Sequence, residues 1–189
     1  MGTAAAAPVF TGAAENIPNC RGRPPPYSLA MALLTAGTPA PDIEARQQDG
    51  SPLRLSDLRG RHVLVYFYPK DDTPGCTAEA CSLNDSLDDF TSAGADVIGV
   101  STDSWESHTR FRNKYGLRFA LASDSARQIS AAYGVGRSAG VLPMLKRVSF
   151  LVGPDGTVAQ VWQSVDPKSH AAEVLTAVQR GSGSATTAS

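Results

Sequence analysis

The sequence predicts an α/β sandwich built around a mixed β-sheet. Three observations carry this expectation. The run Val63-Leu64-Val65-Tyr66-Phe67-Tyr68 is β-branched and aromatic and too short for an ordinary helix, so it reads as a buried strand. Beyond it, strand-like runs alternate with helical periods as far as Tyr133, the pattern of strands joined by crossover helices. Finally, Lys146–Val152 and Thr157–Trp162 flank the turn Pro154-Asp155-Gly156, which adds an antiparallel hairpin to the sheet.

The elements follow in order. Ile43–Gln47 and Leu53–Leu55 flank Asp49-Gly50, a turn dipeptide, and predict an N-terminal β-hairpin. Ser56–Leu58 reads as a short helical turn. Val63–Tyr68 is the central strand, stopped by Pro69. Residues 75–92 form one helix, with Thr73 as its N-cap and Pro74 at its first position. Asp96–Ser101 is the next strand. Asp103 caps a helix over Ser104–Lys114, with Glu106 at the reciprocal position and Trp105, His108, Phe111 and Tyr115 as its apolar row. Phe119–Leu121 is a short strand, Asp124–Tyr133 a helix and Gly134–Gly140 a loop. After the closing hairpin, Asp166-Pro167 opens a last helix that buries Ala171, Val174, Leu175 and Val178.

A length of 189 residues fits one domain with tails. Residues 1–36 show no period and read as a disordered extension, 37–180 as the folded domain, and 181–189 as a disordered Gly/Ser/Thr-rich tail. The 17 basic and 18 acidic residues nearly cancel and form no basic patch, which argues against a nucleic-acid partner. No apolar run approaches a membrane span. The N-terminal stretch lacks the charged start and apolar core of a secretory signal. Three cysteines, Cys20, Cys76 and Cys81, are too few for a secreted disulfide framework, so a redox-active thiol in the cytoplasm fits better. His62, His108 and His170 have no metal-ligand spacing and read as ordinary surface or half-buried histidines. Asp71-Asp72 reads as plain loop.

Chemistry concentrates in Pro69–Cys81, P-K-D-D-T-P-G-C-T-A-E-A-C. Cys76 falls in the first turn of its helix, where unpaired backbone N–H groups and the positive end of the macrodipole favour an anion. Only the thiolate is nucleophilic. Cys76, Ala80, Leu83, Leu87 and Phe90 form an apolar stripe. Cys81 heads the opposite, polar row with Asn84, Asp85 and Asp88. One thiol therefore faces the protein body and the other faces outward.

The stretch Y-F-Y-P-K-D-D-T-P-G-C-T-A-E-A-C resembles the active-site signature of the peroxiredoxins, and the second cysteine five residues on resembles their Q-type, or bacterioferritin comigratory protein, branch. V-I-G-V-S-T-D at 97–103 and R-V-S-F-L-V at 147–152 are similar to further family segments, and Met31 opens a stretch resembling a family member's start. The resemblance implies a thioredoxin-like sandwich and a cofactor-free, metal-free thiol peroxidase, a monomer, that reduces hydrogen peroxide and organic hydroperoxides. It implies Cys76 as the nucleophile and Cys81 as the thiol that resolves its sulfenic acid to a disulfide, with a thioredoxin-type reductant restoring both. It places the required cation at Arg147 and not at the adjacent Lys146. Thr73 and the N–H groups of Gly75 and Cys76 would hold the peroxide oxygens. Glu79 would orient the arginine, and Pro69 and Pro74 would shape the pocket. Two other readings stand beside it: a protein thiol–disulfide oxidoreductase, weakened by the missing C-x-x-C and by Thr73, and a non-catalytic binding module or holdase on the same fold.

Overall fold

The computed structural model describes residues 32–47, 49–139 and 144–183. Five strands make the main sheet in the order β5-β4-β3-β6-β7. They are β3 (His62–Phe67), β4 (Ala95–Ser101), β5 (Ala120–Ser123), β6 (Val148–Val152) and β7 (Val158–Trp162). β3, β4 and β5 run parallel, while β6 and β7 complete the sheet antiparallel. A separate antiparallel hairpin pairs β1 (Glu44–Arg46) with β2 (Pro52–Arg54), and a 3-10 turn follows at Leu55–Leu58.

Side chains alternate across β3 with the period of two that a strand imposes. Val63, Val65 and Phe67 enter one apolar layer with Ile43, Tyr133 and Phe150. Leu64, Tyr66 and Tyr68 enter the other with Cys76, Leu83, Phe90, Phe111 and Val174. Every residue of β3 is buried, as a strand covered on both faces requires. The second layer is roofed by α1 (Pro74–Asp85), α2 (Leu87–Ser92), α3 (Trp105–Tyr115) and α5 (His170–Gly183), the first by the hairpin and α4 (Gln128–Ala132).

Several expectations need correction. The helix over 75–92 is two helices, because Ser86 leaves helical geometry (φ −92°, ψ 7°); the bend lets Phe90 turn fully into the core. Ser104, not Asp103, caps α3, accepting from the Ser107 N–H at 3.4 Å. Asp103 serves elsewhere: its carboxylate accepts from the Asp71 N–H at 2.8 Å and the Ser101 hydroxyl at 3.0 Å. Trp105 leaves the apolar row and is 51% exposed. The three histidines are buried instead of superficial. His170 Nε2 lies 2.9 Å from the Ser149 hydroxyl, and burial lowers this imidazole to about 4. The folded part begins before residue 37, since Leu34 is buried and its N–H donates to the Tyr133 carbonyl. It also ends after 180, because α5 continues through Gly183. Residues 1–31, Cys20 among them, and 184–189 lie outside the described residues.

Candidate active site

The site is assembled by two neighbouring strands. Register pairs Phe67 of β3 with Val148 of β6, so Arg147, just ahead of β6, comes alongside the end of β3. Pro69 cannot donate a ladder hydrogen bond and turns the chain out of the sheet. The loop 69–73 then feeds α1. Thr73 has the extended geometry of an N-cap (φ −94°, ψ 148°), and Pro74 takes the first helical position. The Thr73 side chain makes no capping bond; its hydroxyl donates to the Lys70 carbonyl at 3.1 Å. Thr77 donates the first helical bond, to the Thr73 carbonyl at 2.8 Å. The N–H groups of Gly75 and Cys76 therefore lie ahead of the intrahelical ladder.

Cys76 is 2% exposed, and Arg147 Nη2 donates to its Sγ at 3.3 Å. The absence of a side chain at Gly75 makes this approach feasible, since a Cβ there would lie 3.3 Å from the same Nη2. Lys146, the rival cation, is exposed. The other guanidinium nitrogen, Nη1, donates to Glu79 Oε2. Glu79 stands one turn from Cys76 on the same helix face, so one planar fork holds a carboxylate and a thiol together. Gly75, Cys76, Glu79 and Arg147 thus converge, while the Thr73 hydroxyl is turned to the Lys70 carbonyl. Cys81, half-buried, stands apart one turn further on.

The electrostatics separate the two thiols. Cys76 faces a guanidinium. Burial, and then Asp85, push the Cys81 thiol up, so it stays protonated while α1 is intact. Burial also pushes the Glu79 carboxyl up, to about 7, against the pull of Arg147. For Arg147 burial acts downward, but Glu79 and Cys76 outweigh it and raise the guanidinium.

Glu79 makes stability depend on pH. Its folded pKa exceeds its usual 4.5, so the native state binds the proton more tightly. The contribution is complete below pH 4.5 and is lost as pH rises through about 7. Its size is on the order of 3 kcal/mol. Unfolding free energies measured across this window should decline in the wild type and stay flatter in Glu79→Gln. Parallel curves would show that Glu79 is not the titrating group.

Both described cysteines are free, and α1 is continuous from Pro74 to Asp85. Helical residues five apart are separated by about 7.5 Å along the axis and about 140° around it, which puts their Cα atoms roughly 8.6 Å apart. A disulfide needs about 7 Å or less. The intact helix cannot hold a Cys76–Cys81 bond. Among the described residues, no cluster of ligands could hold a metal ion, and no helix is long and apolar enough to cross a membrane.

The AhpC/TSA family pattern matches residues 36–161. This chain belongs to the AhpC/TSA family. It is 40% identical to peroxiredoxin Bcp of Escherichia coli strain K12 over 149 residues, covering 77% of this chain and 96% of that one. It is 37% identical to the chloroplastic peroxiredoxin Q of Oryza sativa subsp. japonica over 171 residues, covering 89% and 76%. A solved structure of the Xanthomonas campestris bacterioferritin comigratory protein, described for its alkyl peroxide reduction activity, superposes with TM-score 0.72 at 35% identity, covering 77% and 98%. The chain is a peroxiredoxin, a peroxidase on a thioredoxin-like fold.

Sequence reasoning missed the surroundings of this site. Asp71, read as plain loop, is buried against Tyr68 and His108. The place of His108 on the buried row with Phe111 was the available signal. Arg118 also went unnoticed. It pairs with Asp88 at 2.8 Å and donates to the Asn84 carbonyl at 3.2 Å, tying down the polar row below Cys81.

Proposed function

We propose that Cys76 is the peroxidatic cysteine and Cys81 its resolving partner, acting on hydrogen peroxide and organic hydroperoxides. The observation that carries this is the Arg147 guanidinium 3.3 Å from a thiol in the first turn of a helix. A thiolate there is held by charge and by the helix terminus at once. It attacks one peroxide oxygen as the O–O bond breaks, giving a Cys76 sulfenic acid and releasing alkoxide or hydroxide, which takes up a proton. Arg147 and the N–H groups of Gly75 and Cys76 are the donors for the charge developing on oxygen, joined by the Thr73 hydroxyl once it turns from the Lys70 carbonyl. Glu79 fixes the guanidinium plane, and Pro69 and Pro74 set the path of the loop.

Resolution needs the first turns of α1 to unwind. Cys81, released from burial, then attacks the sulfenic sulfur; a disulfide forms and water leaves. A thioredoxin-type dithiol reduces that disulfide and returns the helix. A cytoplasmic setting keeps such a reductant charged. The protein-directed oxidoreductase and the holdase draw no support from the site, since neither uses an arginine fork aimed at a single buried thiol.

Mass spectrometry after one equivalent of peroxide tests the assignment. The expected product is a Cys76–Cys81 disulfide, with Cys20 still reduced. Oxidation confined to Cys20, or no oxidation, would overturn it.

A further inference from the structure

The loop that delivers the chain to Cys76 is gripped from one side by a single helix. His108, Phe111, Lys114 and Tyr115 lie along one face of α3. His108 is fully buried, and its Nδ1 stands 2.9 Å from Asp71 Oδ2 and 3.1 Å from Oδ1. Its Nε2 stands 3.3 Å from the Ala122 carbonyl. The Tyr68 hydroxyl donates to Asp71 Oδ1 at 2.7 Å, and the Asp71 N–H donates to Asp103 at 2.8 Å. The next residue, Asp72, has φ 55°, in the left-handed region that Asp visits more readily than most residues other than glycine. Its carboxylate is held by Lys114 Nζ at 2.7 and 2.9 Å and by the Tyr115 hydroxyl at 2.5 Å.

Polar partners surround the ring on both sides. Both nitrogens of His108 face acceptors, a carboxylate and a carbonyl, and the Tyr68 hydrogen is committed to Asp71. Burial pushes the Asp71 carboxyl up, but the hydrogen bond and charge of His108 outweigh it and hold Asp71 below the usual carboxylate range. Asp71 is the carboxylate of a buried, hydrogen-bonded pair with His108.

We propose that His108 and Asp71 form a buried positioning pair for the peroxide step, fixing loop 69–73 so that Thr73 and the N–H groups of Gly75 and Cys76 meet the substrate oxygens. Neither residue touches the peroxide. A buried carboxylate costs desolvation, and well-packed apolar residues often stabilise a fold as well. The left-handed turn at Asp72 is pinned by a second set of contacts to the same helix. Two such features on consecutive residues just before the nucleophile, both held by one helix, serve the loop's geometry more than the core. This rests on the peroxidatic role proposed for Cys76.

Single-turnover kinetics test the pair in His108→Leu, Asp71→Asn and the double variant. Two reactions of Cys76 are compared: oxidation by hydrogen peroxide, and alkylation by iodoacetamide, which needs the thiolate but not the loop's donors. The peroxide rate constant should fall about tenfold to a hundredfold, by analogy with a slight misplacement of reacting groups. Alkylation should hardly change, and the double variant should be no slower than the worse single one. An unchanged peroxide rate, or equal losses in both reactions, would overturn the proposal. Should the variants fail to fold, nitrogen NMR of the unaltered protein decides: a proton on His108 Nδ1 protected from exchange supports the pair, and an unprotonated Nδ1 overturns it. If Cys76 is not the peroxidatic thiol, peroxide leaves it unmodified in the wild type as well, a result distinct from any of these.

Discussion

Replacing Arg147 with lysine should slow the oxidation of Cys76 by peroxide roughly tenfold to a thousandfold, the loss expected when one preorganised donor is removed from a site that stabilises developing charge. The charge survives in Arg147→Lys; the fork does not. In the native site one guanidinium reaches both Cys76 Sγ and Glu79 Oε2. An ammonium is a point charge and cannot hold both acceptors with the same rigidity. With the lysine turned toward Glu79, the thiolate loses its cation. Unchanged kinetics would show that another group stabilises the reacting sulfur.

Cys81→Ser should react once with peroxide and then stop. Without a second thiol, the Cys76 sulfenic acid persists, and excess peroxide drives it up the oxidation ladder to sulfinic acid. Steady-state turnover with thioredoxin should fall to a small fraction of wild type while the first oxidation keeps its rate. In the wild type, hydrogen exchange should show lost amide protection over the first turns of α1 on oxidation, because the intact helix cannot hold the bond. Normal recycling of Cys81→Ser, with Cys20 unbridged, would make this a one-cysteine enzyme.

Much of the fold was legible because its signals are local. The run Val63–Tyr68, the turn at Asp49-Gly50 and the Thr73-Pro74 helix start depend on neighbours in sequence, and each lies where it was expected within a residue or two. The helix break at Ser86 was not legible: nothing in the 3.6-residue period marks it, and burying Phe90 decides it. The site divides the same way. Cys76 announces itself by its place after Thr73-Pro74-Gly75. Arg147 does not, because only the pairing of β3 with β6 brings it across, and its choice over Lys146 came from resemblance. Asp71 and His108 lie further still from local inference. Each is unremarkable alone, and their meaning arises only where a loop and a helix face each other in the folded chain.

The tie between Arg118 and the far end of α1 bears on how fast the enzyme can cycle. Its bond to Asn84 holds the last turn of α1, and its pair with Asp88 the first turn of α2, to the segment after α3. The Arg118 N–H adds a bond to the Asn84 side chain at 2.8 Å. Melting that starts at Pro74 should then meet an anchor shortly beyond Cys81, leaving a helical stub on oxidation. Starting a helix is the slow and unfavourable part of making one, while extending an existing turn takes about nanoseconds per residue. After the disulfide is reduced, the first turns regrow on that stub without a fresh nucleus. The time for which Cys76 stands outside its arginine fork should then be set by the reductant, not by the refolding of the helix.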